Sequence, residues 1–575
     1  MQSPVLHTSE KESSVPPVFP PFWTRMDSRG RILLILFLIL AVIFCSFGRF
    51  TYERIRVGIE HPYFQLDNEE GALLYQALLI REGKSIYRPL VDYPLVVGTY
   101  PPVYMLLTSC FVSPLAPSLA AGRTISAVAL CFCLVAIFAL VWRISGSAVA
   151  GVLAAGLFLA TFEVYSWAPY HRVDFLALSF SLLGLVTWSL RSQSRLPLAG
   201  SAVLFSLAFF TKQTAIAAPL ALAATLLVTN RRQCLRWCLA WGACVLVPYA
   251  LLNLATGSQF FRHTVLYNAN TMRWHEFSLW AAHIARFYPW FCLLIGFSLV
   301  VIAISYLRNK EVGESVSIEV GGYTSHSTDT KASEDICEKS AARHECPEFA
   351  TSRETLLLVA FYFLFSLPNI VALVKAGSAE NYLLEPLAAG AIVSGSVAGS
   401  LISSLKRQSQ RCTEVMAAVV IAMLASHATH VMRWSPVMFS AAKNPTSADL
   451  EDAAIVTRRL AAVSGPVVSE LSTYAVLGGK DVVFQPFIMS ELARQKRWDQ
   501  TQFINDIKMC KFGLVAVTVD LCSDAFTDAF TPEMRKALCD NYECRDKLLG
   551  GFLWRHYLYY PRQRQGKASQ RGQSQ

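Results

Sequence analysis

Long apolar runs separated by short polar turns dominate this chain. The first run, LLILFLILAVIFCSFG, follows Arg25, Arg29 and Arg31, and most later runs are long enough to cross a hydrocarbon core about 30 Å thick. Basic residues gather in alternate turns, as the positive-inside bias predicts, so we expect a cytoplasmic N-terminus. The runs predict about eleven spans. They lie near 33–48, 119–142, 147–166, 175–190, 196–211, 214–230, 237–256, 287–306, 355–374, 383–404 and 412–432.

The stretch 61–104 between the first two spans is too polar to cross a bilayer. Asp67, Glu69 and Glu70 stand directly before a helix-like run that stops near Gly83, a usual C-terminal signal. A second short apolar run lies behind Tyr100-Pro101-Pro102, within the segment 98–113, and is too brief to span. We therefore expect both short helices to lie at the outer membrane surface.

The chain changes character after residue 434. Three runs predict buried strands, at 467–468, 481–484 and 512–517, and the segments between them have helical periodicity. With an odd number of spans, this small α/β domain, 434–561, lies outside the cytoplasm. Its Cys510, Cys522, Cys539 and Cys544 could then form disulfides.

These patterns divide the chain into domains. We expect a membrane domain at 30–432 that includes a first external loop at 51–118. Disorder is predicted for the cytoplasmic N-terminus 1–29, the polar cytoplasmic loop 307–353 and the basic tail 562–575.

Composition supports a polytopic α-helical membrane protein. Of 575 residues, 53% are hydrophobic and 16% are charged, so a soluble protein is excluded. The net charge of +10 does not indicate nucleic-acid binding, because the basic residues sit mostly in short turns between apolar runs. The lipid bilayer of the plasma (inner) membrane is therefore the expected environment.

Several cations are not explained by orientation, because they stand at the outer ends of spans. They are Arg123, Arg172, Lys212, Arg286 and Lys375, with His171 and His283 beside them. Ionisable groups at membrane depth are costly and usually face a polar cavity or a partner. Cations opposite an acidic loop suit an anionic ligand such as a phosphate. Alternatively, individual side chains snorkel to the headgroups, and the acidic triplet only favours the helix dipole.

The order of these motifs resembles the C-type glycosyltransferase (GT-C) superfamily, close to the protein O-mannosyltransferases and lipid A aminoarabinose transferases. The likeness runs over about 30–432. It is carried by Asp67, Tyr100-Pro101-Pro102, Arg172-Val173-Asp174, Thr211-Lys212-Gln213 and the loop Lys375 to Tyr382. The family's usual Asp-Glu is here Asp67-Asn68-Glu69-Glu70, and its His-Pro-Pro is Tyr100-Pro101-Pro102.

This resemblance implies sugar transfer from a polyprenyl-phosphate carrier to a hydroxyl of a lipid, glycan or protein acceptor, with inversion. Asp67 would be the catalytic base, Glu69 or Glu70 its substitute or an orienting ligand, and Asp174 a second carboxylate. The donor phosphate would be bound by a larger set, namely Lys212, Lys375, Arg172, Arg286, His171 and Tyr382. A divalent metal ion held by Asp67 and Asp174 is an open alternative.

Two other functions compete with the enzyme. A transporter or flippase for lipid-linked sugars would also be polytopic, but transporters place ionisable groups near the midplane, often in repeated halves. The centres of these runs carry almost no charge and no repeat is visible. A non-catalytic assembly protein, binding a partner through the terminal domain, is not excluded by the sequence.

Overall fold

A computed structural model describes residues 28–190, 196–322, 353–407, 411–441 and 444–563. Most of the predicted disordered segments lie outside these ranges, namely 1–27, 323–352 and 564–575. The start of the predicted cytoplasmic loop is instead helical, because the helix Pro289–Gly322 continues beyond the apolar run.

The membrane part is a set of α-helices joined by short turns. Their bounds are Ser28–Glu60, Glu70–Arg81, Val103–Ser109, Ala120–Ser145, Ala148–Leu159, Phe162–Trp167, Asp174–Ser189, Leu196–Thr211, Ala217–Thr229, Arg231–Ala255, Gln259–Phe261, Phe277–Phe287, Pro289–Gly322, Arg353–Ser366, Pro368–Val371, Leu384–Arg407 and Arg411–Ala441. A π-helical turn, Arg262–Leu266, and three 3₁₀ turns, Trp274–Glu276, Ala372–Val374 and Glu380–Leu383, lie in the connections.

Six of the described helical segments are long and apolar enough to cross a bilayer, and four apolar helices are shorter, with 12 to 16 residues. The polytopic α-helical class is confirmed in this form, while the number of eleven spans stays a prediction. The helix Val103–Ser109 has 7 residues. At about 1.5 Å per residue it covers roughly a third of a hydrocarbon core, which agrees with a surface position.

The helix Leu384–Arg407 runs through the centre of the membrane part. Within the segment Glu380–Ser403, 89% of the most apolar stretch is buried, against 6% for Arg231–Ala255 at the periphery. Small residues allow this central position: a Cβ on Gly399 would lie 2.2 Å from Ser145 Oγ. Close approach of the helix backbones therefore requires glycine here.

The first helix continues to Glu60, into the segment 51–118 that is predicted to be the first external loop. The polar second half of this first helix carries Arg56, which pairs with Glu53 and Glu60. The helix Glu70–Arg81 ends as the sequence predicted. Gly83 has φ +73°, a left-handed conformation that favours glycine after a helix.

The C-terminal unit contains a four-stranded sheet with strand order β1-β2-β4-β3, where β1 is Val467–Ser469, β2 Leu514–Val517, β3 Tyr542–Leu548 and β4 His556–Pro561. β1 pairs parallel with β2, and β4 pairs antiparallel with both β2 and β3. Helices Ser447–Ala462, Ser472–Leu477, Pro486–Arg494, Thr501–Lys508 and Pro532–Asn541 surround it. This confirms a small α/β domain.

One predicted strand is wrong. Residues 481–484 are not in the sheet; they form a single parallel bridge, Leu95 to Phe484, with the first external loop. The Leu95 amide donates to the Val483 carbonyl at 2.8 Å, and the Gln485 amide donates to the Leu95 carbonyl at 3.1 Å. The Val483 carbonyl and the Gln485 amide are thus satisfied by Leu95 of the membrane part rather than by the sheet.

The segment between the first helix and the helix Ala120–Ser145 shares apolar clusters with the α/β domain. Phe64 packs with Val456 and Tyr474, while Leu95 and Val97 pack with Phe484 and its neighbours. The domain is thus built onto the loop that carries the acidic residues. Of its four cysteines, Cys522 and Cys539 form a disulfide, and Cys510 and Cys544 are free.

Candidate active site

Glu70 is held in a fully buried ion pair with Arg123. The guanidinium Nε and Nη2 donate to the two carboxylate oxygens at 2.8 and 2.7 Å, and both side chains are 0% exposed. The same carboxylate accepts from the main-chain amides of Leu66, Asp67 and His171. Burial raises the pKa of Glu70, but Arg123 and these donors outweigh it, so the pKa is lower than usual.

Arg123 also closes the acidic loop onto the helix Ala120–Ser145. Its Nη1 donates to the carbonyls of Gly58 and His61, and its Nη2 donates to that of Phe64 at 2.6 Å. Every hydrogen-bonding group of this pair faces protein. Glu70 and Arg123 therefore shape the loop, and neither is positioned to meet a substrate.

Asp67 is a partly accessible carboxylate of the acidic loop, with 18% of its side chain exposed. Its Oδ2 accepts from Arg172 Nη1 at 3.0 Å and from the Glu69 amide at 3.1 Å. Burial raises the pKa of Asp67, Arg172 opposes the rise, and the net direction is upward. A carboxyl group with a raised pKa is a stronger base at neutral pH than an ordinary aspartate.

Arg172 connects Asp67 to Asp174. Its Nε lies 3.8 Å from Asp174 Oδ2, its Nη2 is 3.4 Å from the Tyr100 hydroxyl, and its guanidinium stacks 5.1 Å from the centre of the Trp167 ring. The Arg172-Val173-Asp174 motif and the Tyr100-Pro101-Pro102 segment, far apart in sequence, thus meet at one place.

The proposed metal pair does not fit a divalent cation. The Arg172 guanidinium lies between Asp67 and Asp174 and supplies positive charge there. In the described part of the chain, no group of three or more His, Cys, Asp or Glu side chains has an arrangement that could hold a metal ion. No step of the chemistry below involves one.

Lys212 lies on the other side of Asp174. Its Nζ donates to Asp174 Oδ1 at 2.7 Å, and Asn381 Nδ2 donates to the same oxygen at 2.7 Å. The ammonium also lies 4.4 Å from the centre of the Tyr382 ring. Asp174 begins the helix Asp174–Ser189, where a negative charge is favoured by the helix dipole.

A cavity opens beside Lys212 and Tyr382 and reaches towards the centre of the helices. Asp174, Ser181, Asn369 and Glu385 line it. Asp174 Oδ2 and Ser181 Oγ are buried without a hydrogen-bond partner among the described residues. Such polar atoms are usually satisfied by bound water or a ligand.

Lys375 adds a second cation near Tyr382. Its Nζ donates to Asn268 Oδ1 at 2.8 Å. Burial lowers the pKa of Lys375. The adjacent Tyr382 raises this pKa and the positive charge of Lys212 lowers it further, so the pKa of Lys375 is lower than usual. No carboxylate lies within 4 Å of this ammonium among the described residues. An anionic ligand at this position would remove the repulsion between the two lysines.

Two predicted phosphate ligands lie elsewhere. The Arg286 guanidinium stacks on Trp434 at 4.3 Å, and no contact joins it to Lys212 or Lys375. The His171 ring is 0% exposed and packs against Tyr104 at 5.4 Å, with neither nitrogen hydrogen-bonded in the described structure. Burial, chiefly, lowers the pKa of His171 to about 4, so the ring is neutral at pH 7.

Several residues of the site were not identified from the sequence. They are Asn268, Asn381, Gln65 and Gln485, all neutral amides. Gln65 Nε2 donates to the carbonyls of Asp67 and Asn68, and Gln485 Nε2 donates to Glu69 Oε2 at 3.1 Å. An isolated Asn or Gln gives no recognisable sequence signal, because its role depends on the partners that folding supplies.

Comparisons with known proteins indicate a glycosyltransferase with a membrane-protein fold. Residues 99–325 match the family model of glycosyltransferase family 87. The fold is shared with ArnT from Cupriavidus metallidurans bound to undecaprenyl phosphate, with 12% identity, a TM-score of 0.50, and coverage of 93% of this chain and 98% of that chain. The predicted resemblance and enzyme class are confirmed.

Two further solved structures show weaker similarity. The apo state of the same ArnT has 12% identity and a TM-score of 0.49 over 92% of this chain and 98% of that chain. An Archaeoglobus fulgidus oligosaccharyltransferase tethered with an acceptor peptide has 11% identity and a TM-score of 0.45 over 90% of this chain and 74% of that chain. No curated protein matches the sequence.

Proposed function

We propose that the protein transfers a sugar from a polyprenyl-phosphate carrier to a hydroxyl of a lipid, glycan or protein acceptor. One observation carries this proposal: Asp67, Arg172, Asp174 and Lys212 form a continuous chain in which each contact is 3.8 Å or shorter. The chain joins an accessible carboxylate to buried cations, as base catalysis beside an anionic leaving group requires. The ArnT structure that shares the fold binds undecaprenyl phosphate.

Asp67 is the base in this proposal. Its Oδ2 is engaged by Arg172 and the Glu69 amide, while Oδ1 accepts no hydrogen bond among the described residues. Oδ1 takes the proton of the acceptor hydroxyl as the acceptor oxygen bonds to the anomeric carbon. The bond from that carbon to the phosphate oxygen breaks, its electron pair leaves with the phosphate, and the proton passes from Asp67 to water.

Lys375 and Lys212 stabilise the leaving phosphate, which gains negative charge as this bond breaks. Lys375 is the stronger candidate, because Lys212 is already paired with Asp174 at 2.7 Å. Tyr382 lies against Lys212 and limits the directions from which a phosphate can approach. Asp174 holds Lys212 in place and is a positioning residue. Attack opposite the leaving phosphate inverts the anomeric centre.

We further propose that the reaction occurs on the extracytoplasmic face of the plasma (inner) membrane, with a cytoplasmic N-terminus. The Cys522–Cys539 disulfide supports an external α/β domain, because disulfides persist in oxidising compartments. The distribution of basic turns gives the same orientation. A reporter fused after residue 563 tests it, since cytosolic reporter activity there would contradict the proposed orientation.

The role of Asp67 is tested with purified protein and a panel of short-chain polyprenyl-phosphate pentoses and hexoses. Release of polyprenyl phosphate by hydrolysis of the donor, in which water takes the place of the acceptor hydroxyl, measures turnover. We expect D67N to lose at least 100-fold in kcat with little change in donor KM, since a general base contributes roughly 10²–10⁴-fold. The control is E82Q, which removes an exposed carboxylate that follows the helix Glu70–Arg81 and pairs with Lys84. Full activity in D67N would refute the assignment.

A further inference from the structure

The α/β domain contacts the acidic loop through a buried amide. Gln485 is 5% exposed and stands immediately before the helix Pro486–Arg494. Its Nε2 donates to Glu69 Oε2 at 3.1 Å, and its Oε1 accepts from the Val97 amide at 3.1 Å. Both ends of the amide are therefore used, and the orientation follows from the partners: only NH₂ can donate to a carboxylate, and only the oxygen can accept from an amide.

The backbone around Gln485 is fixed as well. Its own amide donates to the Leu95 carbonyl, and the Leu95 amide donates to the Val483 carbonyl. Pro486 follows, and its ring restricts the conformation at the start of the helix. The side chain thus extends from a rigid part of the domain into the membrane part, with little freedom to adopt another rotamer.

Gln485 joins the two segments that deliver groups to Arg172. Glu69 supplies the amide that binds Asp67 Oδ2, and Val97 lies three residues before Tyr100, whose hydroxyl contacts Arg172 Nη2. The Glu69 carboxylate is attracted by Arg172 but forms no ion pair with it within 4 Å among the described residues, while its Oε2 accepts from Gln485 and Arg172 Nη1 binds Asp67. Without this bond, the two carboxylates would compete for one guanidinium.

We propose that Gln485 is a positioning residue by which the C-terminal α/β domain keeps Asp67 and Arg172 paired in the reactive arrangement. The site is therefore shared between the membrane part and the domain, and is incomplete when either is removed. This inference rests on the proposed function for its kinetic consequence, but the contact itself can be tested without any substrate.

The variants are Q485A and Q485E, with Y75F as the matched control. Tyr75 also joins the acidic loop to the domain, through a hydrogen bond from its hydroxyl to Asp481 Oδ1 at 3.2 Å, without contacting Glu69. Y75F therefore removes one bond between the same two parts of the protein. Hydrogen–deuterium exchange of the full-length protein should show faster exchange at Val97 in Q485A and no change in Y75F. Unchanged exchange in Q485A would overturn the inference.

The kinetic test uses the same donor panel. We expect Q485A to lower kcat about tenfold with donor KM unchanged, and Y75F to retain both. In Q485E a second carboxylate lies beside Glu69 and adds negative charge near Asp67, which raises the pKa of Asp67, so the acid limb of the pH–rate profile should move to higher pH. Equal effects of Q485A and Y75F, or an unmoved profile in Q485E, would overturn the inference.

The two proposals fail in different ways. If D67N is fully active, the base assignment fails whatever Gln485 does. If D67N is inactive and Q485A behaves as the wild type, only the positioning role fails.

Discussion

The buried pair of Glu70 and Arg123 allows a quantitative prediction of stability. Replacing Arg123 by Met removes both hydrogen bonds to Glu70 and leaves a carboxylate that is 0% exposed without its counter-charge. Breaking a buried ion pair in this way costs about 3–5 kcal/mol. The carbonyls of Gly58, His61 and Phe64 also lose a donor, at about 1 kcal/mol each.

The loss in R123M, about 6–8 kcal/mol, is comparable with the whole free energy of unfolding of many domains. We expect the variant to fold poorly. The double variant R123M/E70Q should regain about half of the loss, because it no longer contains a buried charge. The assay is the free energy of unfolding in detergent micelles, measured by titration with sodium dodecyl sulfate, for both single variants and the double variant.

The control for this prediction is R56M. Arg56 pairs with Glu53 and Glu60 on an exposed helix face, with 47% of its side chain exposed, so we expect less than about 1 kcal/mol of change. An R123M protein of normal stability and a raised donor KM would refute the reasoning, because it would place Arg123 at the phosphate instead.

The pair also sets a pH dependence. The pKa of Glu70 is lower in the folded protein than in the unfolded chain. Its contribution to stability is therefore present above the unfolded pKa, about 4.3, and is lost as the pH falls through the folded value. The variant E70Q should lack this part of the acid sensitivity, which thermal unfolding between pH 6 and pH 3 would measure.

Three further predictions concern other contacts. K375A should raise donor KM at least tenfold, while K375R should retain binding. Titration with a polyprenyl phosphate measures the binding, and equal binding by K375A and the wild type would exclude Lys375 from the phosphate site. Burial lowers the pKa of His263 to about 4, and its Nε2 donates to the Arg88 carbonyl. The stability of the protein should therefore fall as the pH drops below about 6.5. Thermal unfolding should show a smaller fall for H263Q. C522S should destabilise the α/β domain by about 3 kcal/mol, because the disulfide closes a loop with sequence separation 17. A reductant that lowers the stability of the wild type but not that of C522S would confirm this.

The sequence determined the class of this protein and supplied the candidate residues for its site. Hydropathy identifies segments that lipid can accept, since unpaired polar groups in hydrocarbon are costly, and charge in the turns reports orientation. Lys212 and Arg172 are candidates because cations at the outer ends of spans require a reason, and Asp67 is a candidate because it belongs to the acidic group of the polar loop. The order of these groups along the chain was enough to indicate a C-type glycosyltransferase.

Only the tertiary structure decided which of these groups work together. Arg123 and Arg172 look alike in sequence, yet one is enclosed with Glu70 while the other lies between Asp67 and Asp174. The segment 481–484 reads as a strand of the domain, but it pairs with Leu95 instead. Hydropathy gives the depth of a residue in the membrane, whereas its neighbours at that depth depend on how the helices pack and rotate. Partner choice between distant segments is therefore a property of the fold.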